Sequence, residues 1–124
     1  MDREQLFAYC LSKPGSEETY PFDMTTAVFK VMNKMFALIG TGELSINLKC
    51  EPSHAEALRS LIPAVRPGYH MNKTHWNTVI IDGSIPDDQI VDMIDHSYDL
   101  VVKGLRARDR EYLAHLTSTQ QPVD

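Results

Sequence analysis

Several chemistries are missing from this 124-residue chain before anything present is weighed. It has no GxSxG elbow, no P-loop and no GxGxxG turn, so the local signatures of serine hydrolases, nucleoside triphosphatases and dinucleotide enzymes are absent. Cysteine is scarce. Cys10 and Cys50 form no CxxC or other ligand pair, which predicts idle thiols in a reducing compartment rather than a disulfide or a metal site. No run approaches the roughly 18 consecutive apolar residues of a membrane span. Met1 is followed by Asp2, Arg3 and Glu4, not by a basic start and an apolar stretch, so the expectation is a cytoplasmic protein with no membrane partner.

Positive charge is also in deficit: 12 Lys and Arg face 17 Asp and Glu, a net -5 that opposes a chain coating itself on phosphate. The deficit is uneven. Residues 1–25 sum to -3 and residues 81–124 to -5, whereas residues 26–80 sum to +3 and also hold His54, His70 and His75. That middle section is the one electropositive part of the chain.

What is present reads as one domain over residues 1–116, with "TSTQQPVD" (117–124) as a flexible tail. Asp2 and Gln5 have capping-box spacing ahead of a first helix with Leu6, Phe7, Cys10 and Leu11 on one face. Pro14-Gly15 ends it, and "SEETYPF" reads as a loop. "TAVFKVMNKMFALIG" predicts a hairpin with Asn33-Lys34 at its tip, and "SINLKC" a strand whose Ile46, Leu48 and Cys50 point inward. Ser53 and Glu56 have cap spacing for a short helix, "PAVRPGYH" reads as a connection, and "WNTVII" as the last strand. Ser84 and Asp87 then open the longest helix, with Ile90, Ile94, Tyr98, Val101 and Leu105 on its apolar stripe, ending near Gly104. "RARDREYLAHL" adds a short polar helix. This order predicts an α+β fold: a two-layer sandwich, one antiparallel sheet with helices on one face and the other face exposed, bearing Lys30, Asn47 and Lys49.

"RPGYHMNKTHWNTVIIDG" (66–83) concentrates the remaining chemistry. His70 and His75 are five apart on a loop, not on one face of a zinc-binding helix, and no further ligand completes a set, so no metal or other cofactor is expected. His70, His75 and Asp82 can be drawn into an acid–base site only by folding, no nucleophile accompanies them, and no small-molecule substrate is implied. The expectation is therefore a non-enzyme with no catalytic residues. Trp76 at a strand entrance predicts a core anchor. On the last long helix, Asp88, Asp92, Asp95 and Asp99 form a ridge opposite the apolar stripe, readable as a solvated face, a weak cation site or a protein-interaction surface.

"HMNKTHW", together with "LFAYCLSKPGSEE", "FKVMNKMFALI" and "SINLK", closely resembles the MmcQ/YjbR-like family of small bacterial proteins from about Leu6 to Leu105. The resemblance implies a frataxin/CyaY-like sandwich and a double-wing mode of DNA binding, with strand hairpins or loops as projections. Carried to this chain, its signature positions are His70, Asn72, Lys73, His75 and Trp76, with Arg66 and Pro67 before them. Together with the electropositive middle section this places Lys30, Lys34, Lys49, Arg66 and Lys73 on phosphates and Asn72 or His75 nearer bases, with His70 among the contact residues. The partner would be double-stranded DNA on a small footprint, bound by a monomer, since the acidic ridge repels a wrapped duplex. The alternative is a frataxin-shaped module that uses the ridge for protein or weak cation binding.

Overall fold

The structure, a computed structural model, describes residues 1–120. Asp2 caps helix α1 (Arg3–Ser12) as its spacing predicts: its carboxylate accepts from Gln5 N while the Gln5 side chain accepts from Asp2 N. The chain continues through β1 (Ser16–Thr19), β2 (Ala27–Val31), β3 (Lys34–Ile39), β4 (Ser45–Lys49), α2 (Pro52–Leu61), β5 (Val65–Pro67), β6 (Trp76–Ile80), α3 (Asp87–Lys103) and α4 (Ala107–Gln120). The six strands form one antiparallel sheet in the order β1-β2-β3-β4-β6-β5, with the helices on one face. This is the expected α+β sandwich. Helix α4 reaches Gln120, and the rest of the expected tail, residues 121–124, lies outside the described residues. Among the described residues no helix is long and apolar enough to cross a membrane.

Local details depart from expectation for identifiable reasons. "SEET" and "VRP" are strands, not loops, but each lies at a sheet edge with a partner on one side only. Neither needs an apolar alternation, and short edges bearing Glu17, Glu18 and Pro67 oppose further strand addition. The β2–β3 turn is Met32-Asn33 at φ 48° and 67°, so Lys34 opens β3 instead of forming the tip. Ser53 and Ser84 cap nothing. Helix α2 starts at Pro52, whose fixed φ suits a first helical position, while the Ser84 hydroxyl donates to Asp82 in a turn.

The main core lies between the sheet and the helices. Phe29, Phe36 and Ile39 from β2 and β3 and Ile46 from β4 meet Leu6 of α1 and Ile90, Ile94 and Tyr98 of α3. β3 carries one extra residue, Phe36, opposite the Phe29–Lys30 step of β2, a bulge that turns both Phe36 and Ala37 toward the core. The bulge interrupts the ladder on its other side too. Ala37 pairs with Leu48 and Leu38 with Asn47, so the next rung would join Phe36 to Lys49. Instead the hydroxyl of Ser97, fully buried on α3, accepts from Lys49 N at 2.8 Å and donates to the Phe36 carbonyl at 2.6 Å. One helix side chain thus replaces a missing strand-to-strand bond.

Candidate functional site

In antiparallel pairs directly opposed residues share a face, so the register places side chains without ambiguity. Lys30 alternates with the core residues Phe29 and Val31, Lys49 pairs with Trp76, and Arg66 pairs with Thr78; all three belong to the face away from the helices. Lys34 pairs with Val31 and shares the helix-side face, at the hairpin end. The outer face is not bare. Val28, Leu38 and Trp76 form a second buried cluster there, with Met35 and Met71 packed against it. Trp76 therefore anchors this outer cluster rather than the main core, because β6 opens with Trp76 on the outward side and Asn77 and Val79 on the helix side.

Beside the cluster runs an open groove of about 860 Å³, with Leu38, Asn47 and Thr78 in its wall. Phe22 lines it from the β1–β2 loop, and Tyr69, His70 and Met71 from the β5–β6 loop. Phe22 and Tyr69 are 63% and 70% exposed, unusual for two large apolar side chains lining one groove. The Tyr69 and His70 rings lie 4.0 Å apart. In the groove wall Thr78 Oγ1 donates to Asn47 Oδ1 and accepts from Tyr69 N. Arg66 reaches only a long, exposed pairing with Glu43 at 3.9 Å, weak enough to yield to a ligand. Asp23, also in the wall, accepts from the backbone N–H groups of Thr26 and Thr25, which hold its carboxyl below the usual range.

The "RPGYHMNKTHW" segment is clamped onto itself. Gly68 N donates to the Trp76 carbonyl at 2.9 Å, and a Cβ at Gly68 would meet Trp76 Cβ at 2.8 Å, so only glycine fits this approach. Asn72 Oδ1 accepts from Thr74 N, its carbonyl accepts from Trp76 N, and Lys73 Nζ donates to the Gly68 carbonyl. Arg59 of α2 holds the loop by donating to the Lys73 carbonyl. His70 sits at φ 58°, and the His75 carbonyl accepts from Cys50 N. Asn72 and Lys73 thus shape the loop that carries Tyr69 and His70.

A family model, YjbR, matches residues 11–100. The chain belongs to the YjbR family. It is 39% identical over 118 residues to the Escherichia coli K12 protein YjbR, covering 94% of this chain and all of that one, and 28% identical over 116 residues to Bacillus subtilis YyaQ, covering 81% and 98%; both are described as uncharacterized. The crystal structure of the Deinococcus radiodurans protein DR2400 superposes with a TM-score of 0.82 at 40% identity, over 90% of this chain and 86% of that one. The YjbR signature read from "HMNKTHW" and the fold it implied both hold.

Of the candidate residues in this YjbR-family chain, the structure brings Arg66 and His70 to the groove and Lys30 and Lys49 to the same sheet face. Lys34 diverges, and Asn72, Lys73 and His75 lie in the loop behind it. Sequence reasoning missed Phe22 and Tyr69, whose signal was an aromatic residue inside a Pro-containing loop with no periodic partner. The acidic ridge is not a uniform row: Asp95 accepts from Tyr9 Oη at 2.5 Å and Lys13 Nζ at 2.8 Å, whereas Asp88, Asp92 and Asp99 are exposed.

Proposed function

We propose that the outer sheet face binds DNA over a short footprint, phosphates against Lys30, Lys49 and Arg66 and base faces against Phe22, Tyr69 and His70. The observation that supports this most is the shared face: three cations from three strands belong to the sheet face that carries the groove, Arg66 in its wall, with exposed aromatic residues from two loops lining it. The loops are the projections of a double-wing arrangement. Cations supply the sequence-independent attraction to phosphate, and aromatic rings supply stacking surfaces for bases. Asp23 and Glu43 in the groove wall repel phosphate, which orients a strand with its backbone toward Lys30 and Lys49 and its bases toward the groove. Unstacked bases fit that orientation better than an intact duplex, whose base faces are covered. The binding is non-catalytic.

The test is the affinity of the full chain for a short single strand and the matching duplex at rising salt. Three phosphate contacts on a single strand give a log–log slope of about -2, a weakening of about 20-fold between 50 and 200 mM salt. Lys49→Ala should remove about 0.7 of that slope. No saturable binding of either DNA form at low salt would sink the proposal.

A further inference from the structure

On the helix side of the sheet, away from the groove, the end of β4, the first turn of α2 and the middle of α3 enclose a smaller cavity of about 270 Å³. Cys50 follows β4, His54 stands one helical turn later, and His96 comes from α3. The Cys50 sulfur and one imidazole nitrogen from each histidine all lie within 4.8 Å of one another, and the two rings meet edge to face with centroids 5.2 Å apart. The rest of the wall is largely apolar, with Leu48, Leu58, Ile62, Val79 and Met93. Yet His96 Nε2 and Asn77 Oδ1 are buried there without a hydrogen-bond partner, Asn77 being only 2% exposed. Ordinary core packing accounts for a buried cysteine. It does not account for two orphaned polar atoms in the same apolar cavity, because such groups are normally paired.

We infer that Cys50, His54 and His96 form a binding site for a borderline transition-metal ion of the zinc type, with a fourth coordination position open to the cavity. One thiolate and two imidazoles are the ligands that zinc prefers and that magnesium and calcium, which take oxygen, do not. Tetrahedral ligands at about 2.0–2.3 Å from the ion stand about 3.4–3.6 Å apart, so closing the triad on binding takes at most roughly 1.4 Å between any two donors. His54 is exposed and free to make that adjustment by rotation. Asp92, one turn before His96 on α3 and lining the same cavity, and Asn77 Oδ1 supply acceptors for a water at the open position. On this assignment the sequence signal is Cys50-x3-His54 straddling a helix start.

The site is separate from the DNA face, and its test is independent of that reading. Metal-stripped full chain is titrated with Co²⁺ and followed by absorption. The expected result is one equivalent bound, with a thiolate-to-cobalt charge-transfer band and the strong visible bands of a tetrahedral ion, both displaced by Zn²⁺. Cys50→Ser should abolish the charge-transfer band. His54→Ala, at an exposed position that leaves the fold intact, should weaken binding by more than about 100-fold, beyond what loss of an outer-shell partner costs. Cys10→Ser should leave the spectrum unchanged, since Cys10 lies in the main core on α1. Absence of the charge-transfer band, its survival in Cys50→Ser, or undiminished affinity in His54→Ala would overturn the assignment.

Discussion

Ser97→Ala removes one oxygen and two hydrogen bonds, and its consequence can be worked from the geometry. The hydroxyl relays Lys49 N–H to the Phe36 carbonyl across the gap that the β3 bulge opens in the ladder. Without it, a donor and an acceptor are left unpaired beside a fully buried side chain. Each such group costs about 1–3 kcal/mol, and a carbonyl with a second lone pair sits at the lower end, so the expected loss is about 3 kcal/mol. For a domain of this size that is a fall in Tm of about 12 °C. In urea the midpoint should drop by about 2 M at an unchanged slope of about 1.5 kcal/mol/M. The Lys49 amide should also exchange with solvent faster than its neighbours in β4. A loss below about 0.5 kcal/mol, with Lys49 still protected, would mean that Phe36 and Lys49 close to a direct bond and would refute the relay.

Two further outcomes follow from the geometry of the β5–β6 loop and of helix α1. Gly68→Ala places a methyl 2.8 Å from Trp76 Cβ and 2.9 Å from the Trp76 carbonyl; a loss of about 1–3 kcal/mol and a shifted Trp76 emission are expected, and wild-type stability with unchanged emission would refute the close approach. Burial pushes the Asp95 carboxyl up, but hydrogen bonds from Lys13 and Tyr9 and the Lys13 charge outweigh it and hold the group below its usual range. A depressed folded pKa gives stability that is present above the unfolded carboxylate value and is lost as pH falls through the folded one. Wild type should therefore exceed Lys13→Met in stability at pH 6 by a margin that shrinks below about pH 4, and a margin that grows on acidification would contradict the pairing.

Legibility followed the physics of each element. Helix α1, the hairpin strands, β4, β6 and α3 were readable because a cap or an apolar period announces an element with one wet and one dry side. The edge strands β1 and β5 were not, since their pairing energy comes from β2 and β6 and leaves no mark in their own residues. Trp76 is buried as its position at a strand entrance suggests, but the sequence did not reveal which face of the sheet it covers, since both faces carry apolar residues. Two cations of the proposed face, Lys30 and Lys49, were legible on polar positions of readable strands, whereas Arg66 in the groove wall belongs to the unreadable β5. The aromatic rims of the groove were not legible, because Phe22 and Tyr69 belong to loops whose approach is set by sheet order. Asn72 and Lys73, read as contact residues, also hydrogen-bond within their own loop, a role that no sequence pattern announces.

The claim that the outer sheet face is the DNA-contacting surface is tested most directly by mapping backbone amide shifts while a short single-stranded DNA is titrated into the protein. The account predicts shifts in β4, β5 and β6 and in the loops carrying Phe22 and Tyr69, with α3 unmoved and the changes fading as salt rises. Shifts centred on α2 and α3, or none at all with DNA in excess, would contradict it.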